Sequence, residues 1–256
     1  GSEMCIRDSY TSEYFSQKSE NHTGYAYHSQ NEYTTDNLEV TSKYNHTWNK
    51  HRFDALVGYN YQYNVNEGFG ANNYDYPTDF YLWNNLGLGT ALKDGKAGMS
   101  SYKNDNTLIG FFGRVSYGYD NKYNVLLSVR REGSSKFGEN NKWATFPSVS
   151  LGWTISNEKF MEGLTWLNNL KLRAGYGVTG NNNFSAGAST AMYSSNSMWP
   201  YNGTWITSYG PARNVNNDLH WEKKAELNIG LDYAFLNNRL FGKFDIYKRR
   251  VSGMLY

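Results

Sequence analysis

Arg52-Phe53-Asp54-Ala55-Leu56-Val57-Gly58-Tyr59-Asn60-Tyr61-Gln62-Tyr63-Asn64-Val65-Asn66 is the stretch that decides the fold. One parity reads Phe53, Ala55, Val57, Tyr59, Tyr61, Tyr63, Val65. The other reads Arg52, Asp54, Leu56, Gly58, Asn60, Gln62, Asn64, Asn66. Side chains of a strand alternate between its two faces, so this stretch has an apolar and a polar face. A helix of period 3.6 would mix the two sets.

The same alternation recurs outward from this stretch. Leu38, Val40, Tyr44 and Trp48 precede it, and Ile109, Phe111, Val115, Tyr117 and Tyr119 follow. Further on come Tyr123, Val125, Leu127 and Val129, then Val149, Leu151, Trp153 and Ile155, then Leu170, Leu172, Ala174, Tyr176 and Val178. Leu227, Ile229, Leu231, Tyr233 and Phe235 make another set, and Leu240, Phe244 and Ile246 the last. Leu56, Leu108, Phe112, Leu126, Phe146 and Phe241 break the rule by placing a large apolar group on the polar parity. The pattern predicts about eight strands of roughly 9 to 14 residues, the length needed to cross a bilayer at a tilt.

Three further features fit a membrane barrel. Tight turns with Asn or Asp at 49–51, 120–122 and 236–238 alternate with long connections at 67–106, 132–142 and 179–220. Outer-membrane barrels sort their connections in this way, short in the periplasm and long outside. Residues 156–169 make a medium connection on the short side, with one helical turn expected near Glu158. No charge falls on the apolar parity, where Arg or Lys at the bilayer midplane costs about 2–4 kcal/mol. Trp48, Phe53, Tyr119, Tyr123 and Phe235 stand beside the tight turns and Tyr61 and Tyr63 at the far end, as two interfacial girdles.

Composition agrees. The 256 residues include 23 Tyr, 13 Phe and 8 Trp against 4 Pro and 1 Cys, and mean hydropathy is −0.73. Disordered chains are poor in aromatics, one cysteine allows no disulfide framework, and a net charge of +2 leaves no basic footprint for nucleic acid. The lipid-facing set is read as Val57, Leu127, Val149, Leu151 and Ile229, against outer-membrane lipid. The lumen-facing set is read as Arg52, Arg114, Arg130, Arg173 and Glu226.

In chain order, Phe112-Gly113-Arg114-Val115-Ser116-Tyr117, the run from Ser128 through Arg130-Arg131-Glu132-Gly133-Ser134-Ser135-Lys136-Phe137 to Gly138, Phe146-Pro147-Ser148-Val149-Ser150-Leu151-Gly152-Trp153, Leu170-Lys171-Leu172-Arg173-Ala174-Gly175-Tyr176-Gly177-Val178-Thr179-Gly180-Asn181 and Trp221-Glu222-Lys223 closely resemble the barrel of SusC/RagA-type TonB-linked outer-membrane transporters of Bacteroidota. The resemblance runs from about Leu38 to the end and rests on the runs jointly. It implies an all-β fold: an antiparallel transmembrane barrel segment with long extracellular loops, part of a barrel of about 22 strands. It also implies a plug domain in the barrel, a SusD-like surface lipoprotein as partner, the TonB complex as energy source, and an oligosaccharide or peptide substrate. The lumen-facing set would then touch the plug or line the path. Residues 1–9 fit nothing that follows and read as a non-native scar. Residues 10–36 read as the end of an extracellular loop with a strand piece near 24–29, and residues 37–256 as a barrel fragment cut within a strand at Tyr256. Plug, TonB box and closing strands are expected elsewhere.

Chemistry is sparse. Gly175, Gly177 and Gly180 match a dinucleotide-binding spacing, but a turn-forming Asn run replaces the required helix. The five histidines lack metal-ligand spacing, and two histidines flanking one hairpin (His46 and His51) make a poor site. Asp75 and Asp79 have no partner that would split their pKa values for acid–base work. No catalytic residue, metal or cofactor is expected. Aromatics crowd two loops: Tyr74, Tyr76, Tyr81 and Trp83 in one, Trp199, Tyr201 and Trp205 in the other. These rings suit stacking on substrate, and equally packing on one another or on a protein partner. Two other architectures remain open: a passive outer-membrane porin, and a soluble secreted β-sandwich carbohydrate-binding module.

Overall fold

The computed structural model describes residues 1–17, 22–185 and 187–254. Eleven strands form, with only short 3-10 turns between them among the described residues. They are β1 (Ser2–Gln17), β2 (His22–Trp48), β3 (His51–Tyr74), β4 (Gly98–Tyr119), β5 (Tyr123–Ser134), β6 (Trp143–Thr154), β7 (Leu167–Asn181), β8 (Met192–Tyr201), β9 (Thr204–Arg213), β10 (Glu222–Phe235) and β11 (Leu240–Ser252). Nine of them make one sheet in the order β1-β2-β3-β4-β5-β6-β7-β10-β11, and β8 and β9 make a separate ribbon. No pairing joins β1 to β11 among the described residues. The expected break within a strand at Tyr256 lies outside the described residues.

The eight expected strands are β2 to β7, β10 and β11; the three beyond them are β1 and the ribbon β8–β9. Apolar alternation marks a strand only where one face meets lipid. β2, β3 and β4 have 27, 24 and 22 residues, well beyond the about 9–11 needed to cross a bilayer. Their outer parity turns polar at Asp36, Glu67 and Asp105, yet the backbone continues to pair. The loop expected over 67–106 therefore shrinks to 75–97. Residues 1–9 pair with β2 through Met4↔Glu32 and Ile6↔Gln30, and the strand piece near 24–29 lies inside β2.

Contacts divide the chain into two compact units, residues 1–36 with 62–106, and residues 37–61 with 107–256. In the first, Asn64 is a hub: its Oδ1 accepts from Tyr33 Oη (3.0 Å), Thr35 Oγ1 (3.0 Å) and Gln62 Nε2 (3.2 Å), while its Nδ2 donates to Asn106 Oδ1 (3.1 Å). That bonding ties polar-parity side chains of β2, β3 and β4 to one another.

In the second unit the short turns are built as their residues predict. Asn49, Asp120, Asn121, Asn237 and Asn238 all take positive φ, between 48° and 62°, which Asn and Asp tolerate best after Gly; Leu236 shares it at 55° without that tolerance. The apolar parity is the outward one. Val57, Leu127, Leu151 and Ile229 are 61%, 51%, 49% and 50% exposed, exposure that only hydrocarbon rewards. Val149 is half-buried between its register partners Leu127 and Tyr176. Rings stack along the turn end: His46 on Trp48 (5.4 Å), Trp48 on His51 (5.2 Å), and His51 against Tyr119 (4.9 Å). The two histidines are thus girdle rings.

The inner-face exceptions have partners. The Phe112 ring lies over Gly58, where an added Cβ would fall 2.3 Å from it, and Phe146 covers Gly180 at 2.1 Å. Phe146 also packs in the unit's small core with Phe137, Ala144 and Trp221, against which Leu108, Val178, Phe184 and Leu219 lie. Ring centroids are 4.4 Å apart for Phe137–Trp221 and 5.4 Å for Phe146–Trp221. Trp221 Nε1 donates to the Lys142 carbonyl at 3.1 Å. Phe241 alone remains broadly exposed, at 74%.

Two outcomes are expected in the complete outer-membrane protein. Leu151→Arg opposes an uncompensated charge to lipid at about 2–4 kcal/mol and abolishes heat-modifiable mobility on gels, whereas Ser150→Arg on the other face retains it. Trp221→Ala removes the centre of the core at about 3–5 kcal/mol; limited proteolysis then cuts within residues 182–220 while the heat-modifiable barrel persists.

Candidate functional site

The site residues expected from sequence fall in two kinds of place, the inner face of the sheet and two long loops. On the inner face, charges come in matched sets. Arg173 donates to both oxygens of Asp232 (2.9 and 2.8 Å) and to Asp245 Oδ1 (3.1 Å). Gly230 makes this possible. It pairs directly with Arg173 on one side and Asp245 on the other, and a Cβ there would fall 2.4 Å from Asp245 Oδ1 and 2.7 Å from Arg173 Nη2. Arg249 Nε meets Glu226 at 2.8 Å, and Arg130 meets Glu132 at 2.5 Å and Asn60 at 3.2 Å. Arg130 also stands 5.5 Å over the Phe112 ring. Arg52 lies 3.6 Å from Asp54. Arg114 is exposed and makes no ion pair among the described residues. Partly wet pairs of this kind contribute about 0–1 kcal/mol each to stability; the bidentate Arg173 fork is the strongest in geometry.

Between these charges lies a trough with a low floor. Ser148, Ser150, Gly175 and Gly177 line it, with Glu226 and Asn228 at one wall. Ser128 and Ser148 hydroxyls bond at 2.6 Å. The three glycines of the dinucleotide-like spacing lie wholly within β7, so they thin the wall and cradle no phosphate.

The loop aromatics separate into held and presented groups. Asn73, 2% exposed, donates to the carbonyls of Leu86 and Gly89 (2.8 Å each) and so closes the loop 75–97 on itself. Tyr76 is 4% exposed, with its hydroxyl 3.3 Å from the Leu86 carbonyl; burial pushes its pKa up to about 12. Tyr74 stacks on His22 at 5.1 Å and lies 5.1 Å from Tyr25. Asp75 accepts from His22 Nδ1 (2.7 Å) and from the Thr23 amide (2.8 Å). Desolvation would raise the Asp75 carboxyl, but these hydrogen bonds outweigh it and hold it below its usual value. Asp79 accepts from Tyr10 and, at 2.6 Å, from Ser12. Tyr81 is exposed, edge-on to Phe80 at 5.0 Å, and Trp83 is half-buried.

In the other loop the ribbon β8–β9 carries Trp199 paired with Ile206 and Tyr201 paired with Thr204 on one face, and Trp205 opposite Pro200 on the other. Trp199, Tyr201 and Trp205 are 64%, 60% and 63% exposed. No Asp, Glu, Lys or Arg occurs from Met192 to Ala212. At the ribbon's root, loop 135–142 zips to the segment before β10 through Gly138 N–H to Leu219 O (3.0 Å) and Asn140 N–H to Asn217 O (3.2 Å). Lys136 lies over the Phe184 ring at 5.9 Å, and burial pushes its pKa down.

Sequence reasoning missed the His22–Asp75 clasp, the Asp245 arm of the Arg173 cluster and the anchoring role of Phe137 and Trp221. The first two join residues far apart in the chain, which only strand register brings together. The third had a signal in Phe146, a ring on the wrong face. Among the described residues no group of three metal-ligating side chains converges.

Comparison with known proteins follows from this geometry. Residues 6–256 match the family model described as TonB dependent receptor-like, beta-barrel. A TonB-dependent receptor of Formosa agariphila is 36% identical over 219 residues, covering 83% of this chain and 20% of the relative. The TonB-dependent receptor SusC of Bacteroides thetaiotaomicron is 38% identical over 160 residues, covering 61% of this chain and 16% of the relative. The solved RagAB peptide transporter superposes with a TM-score of 0.78 at 28% identity, over 91% of this chain and 25% of that one. The chain spans about a fifth of the length of the curated relatives it matches. Its alternating faces, sorted connections and matched stretches make it a segment of an outer-membrane β-barrel wall, and the chain belongs to the TonB-dependent receptor-like β-barrel family.

Proposed function

We propose that this segment is wall and outer mouth of a TonB-dependent importer that takes up a nutrient, an oligosaccharide or a peptide, across the outer membrane. One observation carries the reading: a nine-stranded wall, apolar outside and ion-paired inside, that superposes on the RagAB transporter over 91% of its length. The family consists of transporters rather than enzymes, and Arg173, Arg249 and Arg130 on the inner face are engaged in ion pairs with Asp232, Glu226 and Glu132.

In this reading the exposed loop rings make first contact. Trp199, Tyr201 and Trp205 in one loop present π-faces to a solute or to a SusD-like lipoprotein, where the neutral stretch around β8–β9 imposes no charge selection, and Tyr81 does so in the other loop. Tyr74 and Tyr76, tied into the loop, and the half-buried Trp83 hold its shape instead. A plug, carried on another part of the full protein, would rest against Arg114 and the Arg173, Arg130, Arg52 and Glu226 clusters, and would move when TonB pulls on it. Charge pairs along the wall give such a plug fixed complementary positions.

The test uses the complete receptor in a host deleted for it, with growth on a panel of oligosaccharides and peptides naming the substrate. Trp199→Ala with Trp205→Ala is expected to lower uptake about tenfold, the cost of losing aromatic anchors worth at least about 1.4 kcal/mol, with barrel assembly unchanged. Collapse of the proton-motive force is expected to stop uptake. Uptake that persists without it makes the protein a passive porin and refutes the proposal.

A further inference from the structure

The connection between β6 and β7, residues 155–166, is pinned at both ends to rings of the lipid-facing parity. Near its start the Glu158 carboxylate accepts from Tyr123 Oη (2.5 Å), Trp153 Nε1 (3.1 Å) and Lys122 Nζ (3.2 Å). At its end Trp166 stacks on Phe235 with centroids 5.6 Å apart, and its carbonyl accepts the Leu236 amide at 2.9 Å. Tyr123, Trp153 and Phe235 all belong to the outer parity at the short-turn end. A chain segment bonded to them at both ends leans over the outside of the wall, away from the lumen mouth.

What hangs between these two anchors is apolar and uncovered. Phe160 is 69% exposed, Trp166 52% and Leu164 36%. The strands on either side, β5 and β10, are already in place in the sheet order, so no other strand of the barrel inserts beside this connection. The surface is continuous with the lipid-facing wall. Aromatic rings are favoured at the headgroup level, where the body of the ring is apolar and its edge is wet. Lys159, exposed beside Phe160, can extend its ammonium to lipid phosphate while its stem follows the apolar surface.

We propose that residues 155–166 form an interfacial foot, seating Phe160 and Trp166 in the phospholipid headgroup region of the periplasmic leaflet, with Glu158 as the positioning residue that turns the foot outward. The occupant is the phospholipid leaflet itself; a periplasmic protein docking on the same rings is the competing outcome.

A nitroxide label at Phe160→Cys tests this in the full-length receptor, reconstituted in vesicles of phosphatidylethanolamine and phosphatidylglycerol, with Asn237→Cys in the β10–β11 turn as the aqueous reference. The ratio of oxygen to nickel-chelate collisions is expected to be several-fold higher at 160 than at 237. Equal ratios place the foot in water, as a protein-docking loop would be, and overturn the proposal. Glu158→Gln, in a barrel that keeps heat-modifiable mobility, is expected to drop the ratio at 160 toward the aqueous value. Where that variant does not assemble, Trp153→Phe removes one donor, keeps the ring, and is expected to lower the ratio in the same direction. An unchanged ratio in the assembled variant removes Glu158 from the positioning role.

Discussion

Hydrocarbon offers no hydrogen-bond partner to a peptide group, and each one left unsatisfied there costs several kcal/mol. The order of nine paired strands follows from that constraint. A strand satisfies its backbone only through neighbours, so each crossing segment must have one on either side. Because the side-chain period is two, pairing also sorts every residue to lipid or lumen. A one-residue slip of β6 would turn Leu151 inward and Gly152 outward, and with them every other side chain of the strand. Lipid therefore enforces register more strictly than any pairwise contact on the inner face.

That enforcement explains why the inner face can hold arrangements that look costly alone. Arg173 reaches two carboxylates only because Gly230 leaves the intervening position empty. The Phe112 and Phe146 rings come over Gly58 and Gly180 for the same reason. Glycine weakens a strand by its entropy, and here each such glycine is covered by a ring or a charge from a neighbouring strand. The aromatic core at the rim joins stretches that are far apart in the chain. Phe137 follows β5, Phe146 lies in β6, Val178 and Gly180 lie in β7, and Trp221 stands just before β10. Together with the bonds from Gly138 to Leu219 and from Asn140 to Asn217, they close the base of the long insertion that carries β8 and β9.

The outer face was legible from residues alone. Val57, Leu127, Leu151 and Ile229 face outward as their parity requires, because lipid tolerates no charge and imposes alternation on every crossing strand. The short turns were legible through Asn and Asp at positive φ. The outward extent of β2 to β4 was not, since beyond Asp36, Glu67 and Asp105 the outer parity turns polar while the backbone goes on pairing. Nor could the two loops be told apart: Tyr76 and Trp205 are both aromatics among Asn and Tyr, yet one is 4% and the other 63% exposed.

Membership of the family, the membrane-crossing fold and the two faces were thus determined by sequence, because a bilayer acts on each strand locally and writes its demand into a period of two. Tertiary structure decided which charges meet, which rings are buried and which connection turns toward lipid. Arg173 with Asp232 and Asp245, His22 with Asp75, and Glu158 with Tyr123 are pairs of distant residues. Strand register and loop closure place them together, and those are properties of the paired sheet that no single strand carries.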